Sequence, residues 1–182
     1  MNKRTVYEGH FRVEIIETQF GEQEVIRSTG SACVLLYNRS KRYIVLIRQP
    51  RVSLMTSENS EGLITETVAG SFDCGLGVKS LLVKESQQEA GITITEDAIE
   101  LLNHGKPLSV SAGMTDDVCY LAFAEIDDDQ VDPEDGVFGS VTEGERIQRL
   151  MISIDELPDY VCEDLRAYCL IRHLLRKIAV DG

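Results

Sequence analysis

Two glutamates, Glu85 and Glu89, lie four residues apart in a stretch with helical periodicity. On a helix with roughly 100° per residue they share one stripe with the apolar residues Val78, Leu81 and Leu82. Like charges at this spacing destabilise a helix, and the penalty grows if the carboxylates approach the core. A divalent cation would reverse that penalty, because Mg²⁺ prefers oxygen ligands and pairs with substrate phosphates. The alternative is an ordinary acidic helix whose glutamates extend into water.

Two arginines, Arg48 and Arg51, lie at the end of the apolar segment 43–49. That segment and the preceding one, 31–37, are almost continuously apolar, which is typical of strands buried on both faces. Guanidinium groups bind phosphate oxygens in a bidentate manner, so the two arginines are candidates for phosphate binding. The alternative is a pair of solvated side chains.

The other hydrophobic segments predict further short strands and a second helix. Residues 11–18 and 22–27 predict an N-terminal hairpin, which is too small to be stable alone. Further strands are predicted at 63–68, which leads directly into Ala69 and Gly70, and at 98–102, 107–110, 119–126 and 147–154. The final helix is predicted over 163–180, with a packed side formed by Leu165, Cys169, Leu174, Leu175 and Ile178.

The composition suits one acidic domain. The chain has 182 residues, of which 43% are hydrophobic, and a formal net charge of −13. This charge argues against binding to nucleic acid or an anionic membrane, and it opposes a polyanionic substrate unless a metal and arginines neutralise the site. There is no apolar signal or membrane-spanning run, and the five cysteines include no C-x-x-C pair. We therefore expect reduced thiols in a cytoplasmic protein.

The stretch 70–92, GSFDCGLGVKSLLVKESQQEAGI, resembles the Nudix box, G-x5-E-x7-R-E-U-x-E-E-x-G-U, where U is aliphatic. The spacing holds throughout, with Glu85, Glu89 and Gly91 in their family positions. Four positions depart from the pattern: Leu76 and Gln88 replace glutamates, Ser86 replaces an aliphatic residue and Lys84 replaces the arginine. The lysine keeps the charge but loses the bidentate fork.

The resemblance extends over roughly residues 10–178 and is strongest to the subgroup of ADP-ribose and GDP-mannose pyrophosphatases. It rests also on the segments LLYNRSKRYIVLIRQPRV (35–52), ETVAG (66–70) and SAGMTD (111–116). It implies an α/β (α+β) Nudix fold, with a mixed β-sheet sandwiched between helices and an N-terminal β-hairpin. Residues 1–30 would form a hairpin region for dimerisation and residues 31–182 the Nudix hydrolase domain. The chain would then be a homodimer in which the hairpin helps to build the partner's substrate site.

The resemblance also assigns roles to individual residues. A late loop, 142–146, carries the base in this subgroup, and here it contains Glu145, the favoured base, and Glu143, the reserve. The implied catalytic residues are Glu145, Glu143, Glu85 and Glu89. The implied metal ligands are the Ala69 carbonyl, Glu85, Glu89 and Glu145. The implied substrate-binding residues are Arg48, Arg51, Gly70 and Met114.

These assignments imply a pyrophosphohydrolase that depends on Mg²⁺, or on Mn²⁺. It would cleave a nucleoside diphosphate sugar of the ADP-ribose or GDP-mannose type to a nucleoside monophosphate and a sugar phosphate. The loss of two box glutamates leaves an alternative, a Nudix domain that binds a nucleotide sugar as a sensor with weak or no catalysis. A purely structural dimerisation module is the third possibility.

Overall fold

The computed structural model describes residues 2–73, 75–134, 136–140 and 144–181. Within these residues the chain forms two sheets and two α-helices. The strands are β1 (Lys3–Glu8), β2 (Arg12–Thr18), β3 (Gly21–Arg27), β4 (Ser31–Asn38), β5 (Tyr43–Pro50), β6 (Leu63–Glu66), β7 (Val68–Ser71), β8 (Ile99–Leu101), β9 (Leu108–Ser109), β10 (Val118–Glu125), β11 (Val137–Phe138) and β12 (Ile147–Ser153). The helices are α1 (Val78–Ala90) and α2 (Leu165–Asp181).

The larger sheet is mixed and lies between the two helices. Its strands follow the order β11-β12-β5-β4-β10-β8, and β6, β7 and β9 pair with β5, β4 and β10. Only the β4–β10 pair is parallel among the described strands. One face packs against α1 through Leu81 and Leu82, and the other packs against α2. The predicted mixed α+β architecture is confirmed, with the apolar strands β4 and β5 at its centre.

The predicted strand over 63–68 is wrong in one respect, because the structure divides this segment into β6 and β7. Strand β6 pairs with β5, whereas β7 pairs with β4. The chain therefore passes from one central strand to the other at Thr67. This crossing brings Glu66 and Ala69 to the same end of the sheet as the last residues of β5 and the last turn of α1.

The apolar side of α2 differs from the predicted one. Its fully buried residues are Ala167, Leu170, Ile171 and Leu174, which follow the i, i+3, i+4, i+7 spacing of a helix face. Of the predicted residues, Leu174 is buried, and Leu175 and Ile178 are partly buried. Leu165 and Cys169 are exposed, because they lie outside the stripe that begins at Ala167.

The N-terminal hairpin is confirmed and is larger than predicted. Strand β1 pairs with β2 and makes a separate three-stranded sheet, β1-β2-β3. The sheet is joined to the loop after β9, where the Ile26 N–H donates to the Met114 carbonyl at 3.0 Å. Arg27 also forms an ion pair with Asp116 at 2.8 Å. The functional division at residue 30 stays a prediction.

Neither described helix is long and apolar enough to cross a membrane. The four described cysteines, Cys33, Cys119, Cys162 and Cys169, are free thiols. This agrees with the predicted reduced state, while Cys74 lies outside the described residues.

Ser86 occupies a buried aliphatic position of α1, and its hydroxyl has no hydrogen-bond partner within the described part of the chain. An unpaired buried polar group costs about 1–3 kcal/mol, and alanine is the better helix former. We expect Ser86→Ala to raise the free energy of unfolding by about 1 kcal/mol, measured by urea denaturation. The control is Ser80→Ala on the same helix, whose hydroxyl bonds Glu96 and whose loss should not stabilise. A destabilised Ser86→Ala variant would contradict this account.

Candidate active site

Helix α1 presents Glu85 and Glu89 to strand β7. The helix ends at Gly91, whose left-handed backbone (φ 62°) lets its N–H bond the Gln87 carbonyl. Strand β7 passes so close to α1 that a Cβ atom on Gly70 would lie 2.6 Å from the Glu85 Cγ. A residue with a side chain does not fit at position 70 without displacement, so the glycine sets the distance between strand and glutamate.

Glu89 is the most deeply buried acid of the candidate site, with 3% of its surface exposed. Its Oε2 atom accepts a hydrogen bond of 2.9 Å from the Ala69 N–H. Burial raises the pKa of Glu89 to about 8; the Ala69 hydrogen bond opposes this shift, and the charges of Glu85, Glu145 and Glu66 add to it. The carboxylate is therefore held in a place where its negative charge is costly.

Glu85 lies one turn before Glu89 and is also buried, with 7% exposed. The ammonium group of Lys84 is 3.0 Å from its Oε1 atom. Lys84 occupies the position of the box arginine, so a cation still pairs with this glutamate.

Glu145 reaches the same region from the segment that precedes β12. Its Oε2 atom accepts a 2.8 Å hydrogen bond from the Ser140 N–H and a 3.4 Å contact from the Gln88 amide. The Glu145 N–H in turn donates to the Ser140 carbonyl at 3.1 Å. These bonds fix the half-buried carboxylate beside α1. Gln88, which replaces a glutamate of the box, contacts this carboxylate directly.

One cleft of about 180 Å³ is lined by most of the predicted residues. Those that line it are Arg51, Ala69, Gly70, Glu85, Glu89 and Glu145. The cleft is smaller than typical ligand sites of about 300–1,000 Å³. Its size suits a diphosphate group, so the base and sugar of a larger ligand would extend beyond it.

Arg166 also lines this cleft and was missed in the sequence. It lies in the first turn of α2, where the helix dipole disfavours a cation. Two carboxylates offset that cost. The Arg166 Nε atom donates to Asp164 at 3.2 Å, and its Nη2 atom donates to Glu66 at 2.9 Å. Burial alone would lower the pKa of Arg166, but the charges of Asp164 and Glu66 raise it. The sequence signal that could have indicated Arg166 is an arginine near the start of the predicted final helix, where a cation is disfavoured. Ser31, Ser71, Asp73 and Lys84 complete the lining.

The structure does not bring Arg48 and Met114 into this cleft. Arg48 lines a separate, wider cleft with Arg146 and Val137. Met114 is half exposed and contacts the N-terminal sheet through its carbonyl oxygen. Glu143, the reserve base, lies outside the described residues.

The donor set around Glu89 fits a hard divalent cation. Glu85 and Glu89 supply buried carboxylate oxygens, and burial, with a smaller part from the charge of Glu85, raises the pKa of Glu89. Among the described residues, no three acidic, histidine or cysteine side chains form a group that could hold an ion unaided. Mg²⁺ commonly keeps several waters and takes substrate phosphate oxygens, so a site with two protein carboxylates suits it.

The mixed sheet lies between two helices, and two glutamates of α1 meet strand β7 in a cleft; this α+β architecture is consistent with a Nudix-like fold. No family model matches the chain. The GDP-mannose pyrophosphatase of Cronobacter sakazakii is 30% identical over 166 residues, covering 88% of this chain and 81% of that protein. The GDP-mannose pyrophosphatase of Enterobacter sp. strain 638 is 30% identical over 157 residues, covering 84% of this chain and 77% of that protein. The Klebsiella pneumoniae protein of that name is 33% identical over 109 residues, covering 60% and 52%.

The chain belongs to the family of these GDP-mannose pyrophosphatases, which are hydrolases that act on a diphosphate bond. The predicted enzyme class is thereby confirmed.

Proposed function

We propose that this chain hydrolyses the diphosphate bond of a nucleoside diphosphate sugar and releases a nucleoside monophosphate and a sugar phosphate. The observation that carries the proposal is the convergence of Glu85, Glu89 and Glu145 with Arg51 and Arg166 in one cleft. The carboxylates supply a proton acceptor and cation ligands, and the arginines match the charge and shape of phosphate oxygens.

Each group would have a distinct task. Arg51 and Arg166 would bind phosphate oxygens and hold the diphosphate in line for attack, since positioning supplies much of the rate in such reactions. Glu145 would accept the proton of the attacking water as its oxygen bonds to phosphorus and the bridging P–O bond breaks. Its hydrogen bonds to Ser140 and Gln88 orient the carboxylate for that transfer.

Glu85 and Glu89, with the Ala69 carbonyl, are the residues that would hold Mg²⁺ or Mn²⁺. When bound, the cation would supply positive charge that offsets the charge of the diphosphate. The chain has a net charge of −13 and would repel a polyanionic substrate. Such an ion, together with the two arginines, would offset that repulsion at the site.

GDP-mannose is the first substrate to test, because the relatives carry its name, and ADP-ribose is the second. Hydrolysis can be followed with a phosphatase that acts on both monoester products but not on the intact diphosphate. We expect release with Mg²⁺ or Mn²⁺, and none from a Glu89→Gln, Glu145→Gln double variant purified in parallel. A chain that binds these compounds without hydrolysing any of them would support the sensor alternative instead.

We also propose a homodimer formed through the N-terminal sheet. The sheet and its turns expose the large apolar side chains Val6, Tyr7, Phe11 and Phe20, and a dimer interface would remove such apolar surface from water. Light scattering at micromolar concentration should give twice the chain mass of 20.3 kDa. Phe11→Ser with Phe20→Ser should give one chain mass, whereas Val161→Ser, an exposed residue outside this sheet, should remain dimeric. A monomeric wild type would contradict the proposal.

A further inference from the structure

Glu66 is a buried carboxylate directly behind the cleft, and the proposed reaction leaves it without a role. Only 2% of its surface is exposed. Its Oε1 atom accepts hydrogen bonds from Gln49 at 2.8 Å and from the Arg51 Nε and Nη2 atoms at 2.9 and 2.6 Å. Its Oε2 atom accepts from the Arg166 Nη2 atom at 2.9 Å. One carboxylate thus joins β5, β6 and α2.

The two arginines bound to Glu66 are the same two that line the cleft. Two guanidinium groups side by side repel each other, and the carboxylate between them removes that repulsion. Counted with Asp164, which also accepts from Arg166, the two arginines and two carboxylates carry no net charge, but within the described part of the chain the Nη1 atom of neither arginine has a hydrogen-bond partner. These remaining donors are available to an anion in the cleft.

An ion group of one buried carboxylate and two partly exposed arginines is a poor way to gain stability, because desolvation of Glu66 offsets much of the attraction between the charges. Its retention next to a cleft therefore points to a task in binding. Arginine carries large rotamer freedom, so a side chain that is already fixed binds an anion with a smaller loss of entropy.

We propose that Glu66 is a positioning residue that fixes Arg51 and Arg166 as one preorganised pair for the diphosphate of the substrate. The identity of the anion rests on the proposed function, whereas the pairing of the arginines does not. Glu66 itself does not line the cleft and acts only through the two arginines.

The direction in which Glu66→Gln changes anion affinity distinguishes a positioning role of Glu66 from a purely electrostatic one. Glu66→Gln removes a negative charge behind an anion site, so an electrostatic role alone predicts tighter binding of an anion. Loss of the fixed arginine geometry predicts the opposite. We expect the dissociation constant for inorganic pyrophosphate, measured by calorimetry in EDTA, to rise about 10- to 100-fold, the range for losing charge-assisted hydrogen bonds. An unchanged or lower dissociation constant overturns the proposal.

Glu66→Asp covers the case in which Glu66→Gln does not fold. It keeps the charge and shortens the side chain by one methylene, so any weaker binding by a folded Glu66→Asp chain reports geometry alone. A folded Glu66→Asp chain with wild-type affinity overturns the proposal. The control is Asp155→Asn, which removes the carboxylate paired with Arg42 at the other end of β5 and should leave the dissociation constant unchanged.

A double-mutant cycle tests whether Glu66 acts through the arginines. We expect Glu66→Gln to change pyrophosphate affinity less than threefold once Arg51→Gln and Arg166→Gln are present, because coupled residues are not additive. Full additivity overturns the proposal. The titrations need no turnover, so a chain that shows this pattern but hydrolyses no nucleotide sugar would contradict the proposed function alone. A chain that hydrolyses its substrate and binds pyrophosphate equally in all Glu66 variants would contradict this inference alone.

Discussion

Replacing Glu89 by glutamine should lower the turnover of a nucleoside diphosphate sugar at least about 100-fold, the usual effect of removing one group that stabilises transition-state charge. The fold should persist, because the glutamine oxygen can still accept the hydrogen bond from the Ala69 N–H. Glu156→Gln, at an exposed position, is the control and should retain full turnover. Wild-type rates for both Glu89→Gln and Glu85→Gln would show that the cation assignment is wrong.

The same Glu89 variant should be more stable than the wild type when metal is removed by EDTA, and increasingly so at higher pH. The pKa of Glu89 is about 8 in the folded chain and near its ordinary value of 4.5 after unfolding. Between these values the folded state holds a proton that the unfolded state has lost, so the wild-type free energy of unfolding falls as pH rises. Above pH 8 Glu89 is ionised in the folded chain, and its burial then lowers the free energy of unfolding by its full amount, on the order of a few kcal/mol.

Urea denaturation at pH 5 and pH 8.5 measures this effect. Glutamine does not titrate, so the stability difference between Glu89→Gln and wild type should grow from the lower to the higher pH. A difference that is independent of pH would show that Glu89 is not held in a costly ionised form. Because no metal is present, this result is independent of the turnover measurement.

The parts of the site that the sequence predicts are those fixed by local geometry. Glu85 and Glu89 share a helix face because they are four residues apart, and α1 ends at Gly91 as its glycine indicates. The segment from Gly70 into the helix also follows from spacing. These positions are set within about twenty residues of chain, so periodicity and turn chemistry are sufficient to place them.

The parts that the sequence does not predict depend on contacts between distant segments. Arg166 reaches Glu66 across a separation of 100 residues, and no local pattern records that contact. Arg48 and Arg51 were expected to act together, but Arg48 lies in β5 and Arg51 follows the strand in extended backbone, where side chains three residues apart point to opposite faces. Arg51 lines the cleft with the glutamates, whereas Arg48 lines the other one.

The split of 63–68 into β6 and β7 has a similar origin. The segment is continuously compatible with a strand, so its own residues do not show where it changes partner. The change at Thr67 follows from the positions of β4 and β5, to which the two halves pair. It matters for function, because Glu66 then faces the arginines while Ala69 contacts Glu89.

Replacing Glu145 by glutamine should lower kcat by about two to four decades, the range for loss of a general base. Its carboxylate is fixed by the Ser140 N–H and lies in the same cleft as Glu89, so glutamine would keep the position and lose only the ability to take a proton. We expect KM to change little, because Arg51 and Arg166 hold the diphosphate. The Mg²⁺ concentration for half-maximal rate should change less than in Glu85→Gln, which removes a proposed cation ligand.

The paired variant for this experiment is Glu143→Gln, which tests the other glutamate of the same late segment. We expect its kcat to stay within about tenfold of wild type, because the carboxylate of Glu145 lines the cleft and one base is sufficient for the reaction. Steady-state kinetics of the two single variants at saturating Mg²⁺ distinguishes them. If Glu143→Gln abolishes turnover and Glu145→Gln does not, then the base is Glu143, and the hydrogen bonds of Glu145 to Ser140 and Gln88 serve only to close its loop.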